Sequence, residues 1–122
     1  MAERPRLRVL LVEDEGGVAL LIEDMLEQLG HEVIASVAHL SRAQRAIETA
    51  TPDLAVLDVN VAGETSFDLA RRLASLGIPF LFSTGYGDSG LPADLQDRPV
   101  LAKPFTLADL RNAIARTGQA SA

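Results

Sequence analysis

Cysteine is absent from the 122 residues, which excludes disulfides, thiolate metal sites and cysteine nucleophiles and is compatible with a reducing cytoplasm. No apolar run approaches the roughly 20 residues that a membrane-spanning helix needs. The opening MAERPRLR leads straight into a strand-length apolar run with no secretory core. A soluble, cytoplasmic protein with no membrane partner is therefore the expectation. A basic stripe is also missing: the net charge is −6 and the isoelectric point about 4.8. Such a surface repels phosphate backbones and argues against nucleic acid as a partner. No glycine-rich phosphate loop follows the first apolar run, which argues against a nucleotide-binding domain. Internal repeats, linkers and low-complexity tracts are lacking too, apart from a small polar tail at Gly118–Ala122. What remains is a chain of single-domain size, long enough to bury about two-thirds of its unfolded surface without a covalent staple.

Within it, apolar runs and helical periodicities alternate. LRVLLV at 7–12 is a continuous run of the kind a parallel strand needs when both faces are covered. Val18, Leu21, Ile22, Met25, Leu26 and Leu29 follow at helical spacing, with Gly30 at the stop position that glycine favours. HEVIASVA reads as a half-exposed strand. Ser41 is expected to cap the next helix, which carries Ala43, Ala46 and Ile47 and ends before Pro52. LAVLDV at 54–59 is a third strand, and after NVAGETS comes a helix with Phe67, Leu69, Ala70, Leu73 and Leu76, closed by Gly77. PFLFS and VLA (100–102) are the fourth and fifth strands, and Leu107, Leu110, Ala113 and Ile114 mark a last helix. Residues 85–99 hold three glycines and two prolines, so a mobile loop with a short helix around Leu91–Gln96 is expected where alternation asks for a full helix. The pattern implies an α/β fold, a parallel sheet with right-handed crossovers and helices on both faces.

Polar chemistry stands at the ends of four of these runs: Glu13-Asp14, Asp58, Thr84 and Lys103. In a parallel α/β sheet, ligands bind beyond the carboxyl ends of the strands, so these residues are expected to converge. Three acids brought together repel one another unless a cation sits among them. Magnesium suits such a site, because it takes oxygen ligands in octahedral geometry and keeps waters; two carboxylates and the Asn60 backbone carbonyl supply part of that sphere. Asp58 ends a buried strand, where a carboxylate needs a partner, and it can act as a nucleophile toward phosphorus. The lysine ammonium is a point charge suited to a phosphoryl oxygen, and Pro104 after it, able to adopt the cis form, aims it inward. Each feature has a plainer reading. Glu13, Asp14 and Glu15 can simply complement a helix N-terminus, Asp58 can be a turn aspartate, and Lys103 an exposed lysine. His31 and His39 read as solvated surface rather than as relay histidines. Specificity lies in the order and placement of the set.

LLVEDE, LAVLDVN, FSTGYG and LAKPF together resemble the receiver domain of two-component response regulators, over about Leu7–Thr117. The resemblance implies a flavodoxin-like, doubly wound five-stranded sheet of order 2-1-3-4-5 with a short or irregular fourth helix. It also implies one receiver domain over residues 1–122 with no output domain. By matching positions it makes Asp58 the phosphoacceptor and Glu13 and Asp14 the acidic pair for Mg2+. Thr84 and Lys103 become ligands of the phosphoryl oxygens, and the Lys103–Pro104 bond is expected to be cis. PFLFSTGYG with PVLAKPF is similar to the alphaproteobacterial FAT GUY group, whose kinase partners are of the HWE or a related type.

Departures from the family pattern accompany this. VAGETS replaces the usual proline and glycine of the loop after the phosphoacceptor, and Val100 stands where a rotating Tyr or Phe is usual. Tyr86, two residues after Thr84, is an alternative switch aromatic or a loop residue packed on the sheet edge. The implied function is acceptance of a phosphoryl group from a sensor histidine kinase, followed by protein–protein signalling as a monomer or weak dimer, or service as a phosphate sink. A small magnesium-dependent phosphatase with an aspartate nucleophile is the alternative of another class, although its second acid is replaced by Asn60 and no cap is present. A degenerate receiver used only for docking is a third reading, which the intact acids, Thr84 and Lys103 oppose.

Overall fold

The computed structural model describes residues 6–85 and 90–120, with side chains for all but the last two of these. Among the described residues, strands and α-helices run in the order β1 (Arg8–Val12), α1 (Gly16–Gln28), β2 (Glu32–Val37), α2 (Leu40–Ala50), β3 (Leu54–Asp58), β4 (Asn60–Val61), β5 (Glu64–Thr65), α3 (Phe67–Ser75), β6 (Phe80–Thr84), β7 (Val100–Ala102) and α4 (Leu107–Ala120). Five strands form one parallel sheet of order β2-β1-β3-β6-β7. With the separate β4–β5 hairpin set aside, this is the expected 2-1-3-4-5 topology of a flavodoxin-like receiver.

Alternation along the central strands explains why both sheet faces are covered. Leu10, Val12, Ala55, Leu57, Phe80 and Phe82 point to the side of α2 and α3, where Ala43, Ile47, Leu69 and Leu73 meet them. Val9, Leu11, Leu54, Val56 and Leu81 point the other way, onto Ile22 and Leu26 of α1 and Leu110, Ala113 and Ile114 of α4. Successive side chains of a strand face opposite ways, so a continuous apolar run is what two helical layers require. Phe82 sits between Phe67 and Phe80 in two edge-to-face contacts, with centroids 6.3 and 5.6 Å apart, a geometry aromatic rings favour.

Glycine closes two helices in the same way. Gly30 (φ +91°) follows α1, and its N–H and that of His31 return to the carbonyls of Glu27 and Leu26. Gly77 (φ +73°) follows α3 with the matching bonds from Gly77 and Ile78 to Ala74 and Leu73. Both are Schellman motifs, whose left-handed residue is best supplied by glycine.

Two local expectations are corrected. Ser41 does not cap α2: the helix starts one residue earlier, at Leu40, and His39 occupies the cap position with no side-chain bond. His31 is not fully solvated, since it is half-buried and its Nδ1 accepts the Leu7 N–H at 3.1 Å. His39 is exposed, as expected. Among the described residues of the stretch 85–99, a 3-10 turn at Ala93–Leu95 stands in for a helix. The described part of that stretch is packed, with Leu91 and Leu95 buried and the Arg98 guanidinium 4.5 Å over the Phe80 ring. The turn is tied to α3 by Arg71 and Asp94, 2.9 Å apart.

Candidate functional site

The carboxyl ends of β1, β3, β6 and β7 deliver their polar residues to one edge of the sheet. Glu13 follows β1, and its N–H bonds the Val37 carbonyl of β2. Asp58 ends β3 and pairs in register with Ser83 of β6. Thr84 is the last residue of β6 itself, and its carbonyl accepts the Lys103 N–H at 2.8 Å. Lys103 directly follows β7, and the Lys103–Pro104 bond is cis.

These side chains meet. Carboxylate oxygens of Glu13, Asp14 and Asp58 lie within 4.8 Å of one another. The Lys103 ammonium donates to Glu13 Oε1 at 2.5 Å and to Asp58 Oδ2 at 3.1 Å. A cleft of about 350 Å³ opens over the group, lined by Asp14, Glu15, Asp58, Asn60, Gly63, Thr84, Gly85 and Lys103. Asp58 (8 % exposed) and Thr84 (3 %) are the buried part of its lining and Glu13 (3 %) is buried beside it, while Asp14 is exposed at its rim.

Burial is the largest influence on Glu13 and raises its pKa above the ordinary 4.5. The Lys103 and Glu15 hydrogen bonds oppose this, and the Asp58 charge adds to it. For Lys103, burial alone pulls the pKa down, but the hydrogen bonds it donates to Glu13 and Asp58 and their charges carry it above 10.5. The lysine is thus a fixed cation among acids. That donor set fits a hard divalent ion: three clustered carboxylates, one exposed, with a cation already drawn to two of them.

A hairpin walls the cleft. β4 and β5 are joined by Ala62 (φ +51°) and Gly63 (φ +84°), two left-handed residues in succession, as a type I′ turn demands. The Ala62 N–H donates to Asp14 Oδ2 at 2.8 Å and the Asn60 N–H to Asp58 Oδ1 at 3.3 Å. Behind the hairpin lies Ser66, fully buried, with its hydroxyl donating to the Asp58 carbonyl at 2.7 Å.

Every expected site residue with described coordinates therefore lies in or beside this cleft: Glu13, Asp14, Asp58, Asn60, Thr84, Lys103 and Pro104. Tyr86 lies outside the described residues. Val100 is half-buried against the α2–α3 side of the core, so no aromatic ring stands at that position. Gly63 and Ser66 were not singled out from the sequence. The signal for Ser66 was present, a serine immediately before an amphipathic helix, but it reads as an ordinary helix cap.

A doubly wound parallel sheet thus carries an acidic trio, a strand-end hydroxyl and a lysine at its carboxyl edge, the arrangement that the resemblance to receiver domains implies. The family model of the response regulator receiver domain matches residues 9–115, and the chain belongs to that family. SdrG from Sphingomonas melonis Fr1 has a similar solution structure, with a TM-score of 0.85 and 38 % identity over 94 % of this chain and 98 % of that one. The BeF3-activated conformation of SdrG from Pseudomonas melonis Fr1 aligns with a TM-score of 0.77 and 39 % identity over 88 % of this chain and 92 % of that one. Among curated proteins, the transcriptional regulatory protein PdtaR of Mycobacterium tuberculosis is 31 % identical over 88 % of this chain and 54 % of its own length. The chain thus spans about half the length of that relative. Among the described residues, no helix is long and apolar enough to cross a membrane.

Proposed function

We propose that this chain is a receiver that takes a phosphoryl group onto Asp58 from a sensor histidine kinase and signals by protein contact. The observation that carries the reading is the convergence of Asp58 with Lys103, 3.1 Å away, and with Glu13 and Asp14 in one cleft.

Asp14, Asp58 and the Asn60 carbonyl would hold Mg2+, with Glu13 beside them. Bound there, the ion supplies neutralisation of the charge that develops on the transferred group. An Asp58 carboxylate oxygen attacks phosphorus, the phosphorus–nitrogen bond of the donor phosphohistidine breaks in line, and neutral imidazole leaves. Catalysis is positional and electrostatic. Lys103, held as a cation, follows the new phosphoryl oxygens, and the Thr84 hydroxyl takes another. The segment 85–99 then carries the change to a partner protein, with Tyr86 as its candidate aromatic. A kinase of the HWE or a related type is the proposed donor. No observation favours a phosphatase: the position two residues after the nucleophile is Asn60, which cannot serve as a general acid.

Amide NMR with Mg2+, before and after beryllofluoride, tests this reading. Shifts at Asp58, Thr84 and Lys103 that spread through 85–99 are expected. The absence of any Mg2+-dependent response at these residues would refute it.

A further inference from the structure

Ser66 occupies the cap position of α3, yet its side chain makes no bond to that helix. Its hydroxyl instead donates to the Asp58 carbonyl at 2.7 Å, with Val59 O at 3.4 Å. Its own N–H donates to the Val59 carbonyl at 2.9 Å. A serine that leaves the helix end uncapped forgoes the usual benefit of its position. The bond it makes in exchange is short and fully buried.

The peptide between Val59 and Asn60 shows what this achieves. Its carbonyl is held by the Ser66 amide, and its N–H points at Asp58 Oδ1, 3.3 Å away. The peptide before it, between Asp58 and Val59, is held by the Ser66 hydroxyl on one side and by the Val59 N–H bond to Ser83 on the other, at 3.0 Å. Two successive peptide planes, leading from the carboxylate of Asp58 to the carbonyl of Asn60, are therefore clamped by one residue. The base of the β4–β5 hairpin, whose tip holds Asp14 through the Ala62 amide, is closed by the same residue.

We propose that Ser66 is a positioning residue for the cation site, acting through the main chain of Asp58 and Asn60. The inference rests on the reading of this cleft as a Mg2+-dependent phosphoacceptor site. Outer-shell partners of metal ligands typically contribute about 10–100-fold to affinity; Ser66 bonds the main chain of Asp58 directly and reaches Asn60 through the Val59 carbonyl of the peptide that joins them.

The test is a Mg2+ titration followed by the amide shifts of Asp58–Ala62, beside thermal melting of the same samples. Ser66→Ala is compared with Thr117→Ala, which also removes a buried hydroxyl bonded to a carbonyl, here Ile114 at 2.6 Å, in α4. Ser66→Ala is expected to weaken Mg2+ binding about tenfold, with Thr117→Ala at parental affinity and Ser66→Thr, which keeps the hydroxyl, close to it. Ser66→Gly replaces Ser66→Ala if the latter does not fold. Parental affinity in the variant lacking the hydroxyl overturns the inference and leaves the phosphoacceptor reading standing. Equal weakening by Thr117→Ala also overturns it, because affinity then follows overall stability. A parent protein that binds no Mg2+ overturns both.

Discussion

Replacing Lys103 by methionine keeps the length of the side chain and removes its charge. The ammonium lies 2.5 Å from Glu13 and 3.1 Å from Asp58, and its side chain is only 18 % exposed. Coulomb's law with an effective dielectric near 20 gives about 5–7 kcal/mol for each contact at such distances. Desolvation of all three groups offsets much of this, and loss of one partner from a buried pair costs about 3–5 kcal/mol net. With a total stability of about 5–15 kcal/mol typical of a domain, Lys103→Met is expected to fold in the presence of a chelator but with roughly 3 kcal/mol less stability. Urea melts followed by circular dichroism measure this. The diagnostic part is the response to Mg2+. Lys103 draws on the carboxylates that the ion needs, so its removal leaves a deeper anionic site, and Mg2+ should stabilise Lys103→Met more than the parent. Equal stability of the two proteins in chelator, or an equal Mg2+ increment, would refute the assignment of Lys103 as the cleft's resident cation.

Other expectations follow from neighbouring residues. Ala62 holds a left-handed conformation, which costs an L-residue about 1–2 kcal/mol; Ala62→Gly is expected to raise the melting midpoint and Gly63→Ala to lower it, and the opposite signs would contradict the described turn. The pKa of Glu13 is raised in the fold, so its contribution to stability is fully present below 4.5 and is lost as pH rises through its folded value. In metal-free urea melts the parent should therefore lose stability relative to Glu13→Gln between acid pH and neutrality, and a pH-independent difference would count against burial as the dominant cause. Lys103 is raised above 10.5, so its contribution persists to that pH and disappears only in stronger alkali.

How far the fold was legible depended on how much of each element is apolar. The buried strands β1, β3 and β6 are continuous runs such as VLLV and LAVL, and no other placement covers such runs on both faces. The acids, Thr84 and Lys103 were legible because each terminates one of these runs, and strand direction then carries them to one edge. Shorter elements left no such trace. β4 and β5 have two residues each, and the sheet between them is fixed by backbone conformation at Ala62 and Gly63 rather than by hydrophobic pattern. Ser41 and Ser66 show the same limit from opposite sides. Ser41 is expected to cap α2, but that helix begins before it; Ser66 does stand at the cap position of α3, yet its hydroxyl finds a buried carbonyl eight positions earlier in the chain. Choice between a local and a distant hydrogen-bond partner is a tertiary outcome, and residue identity alone does not make it.

The central claim is that Asp58 accepts the phosphoryl group, and intact-mass analysis after incubation with acetyl phosphate tests it most directly. The parent is expected to gain the mass of one phosphoryl group with Mg2+ present and none with a chelator, the adduct being labile to hydroxylamine as an acyl phosphate should be. Asp58→Asn is expected to gain nothing under either condition. Phosphorylation of Asp58→Asn equal to that of the parent would place the acceptor elsewhere and contradict the account.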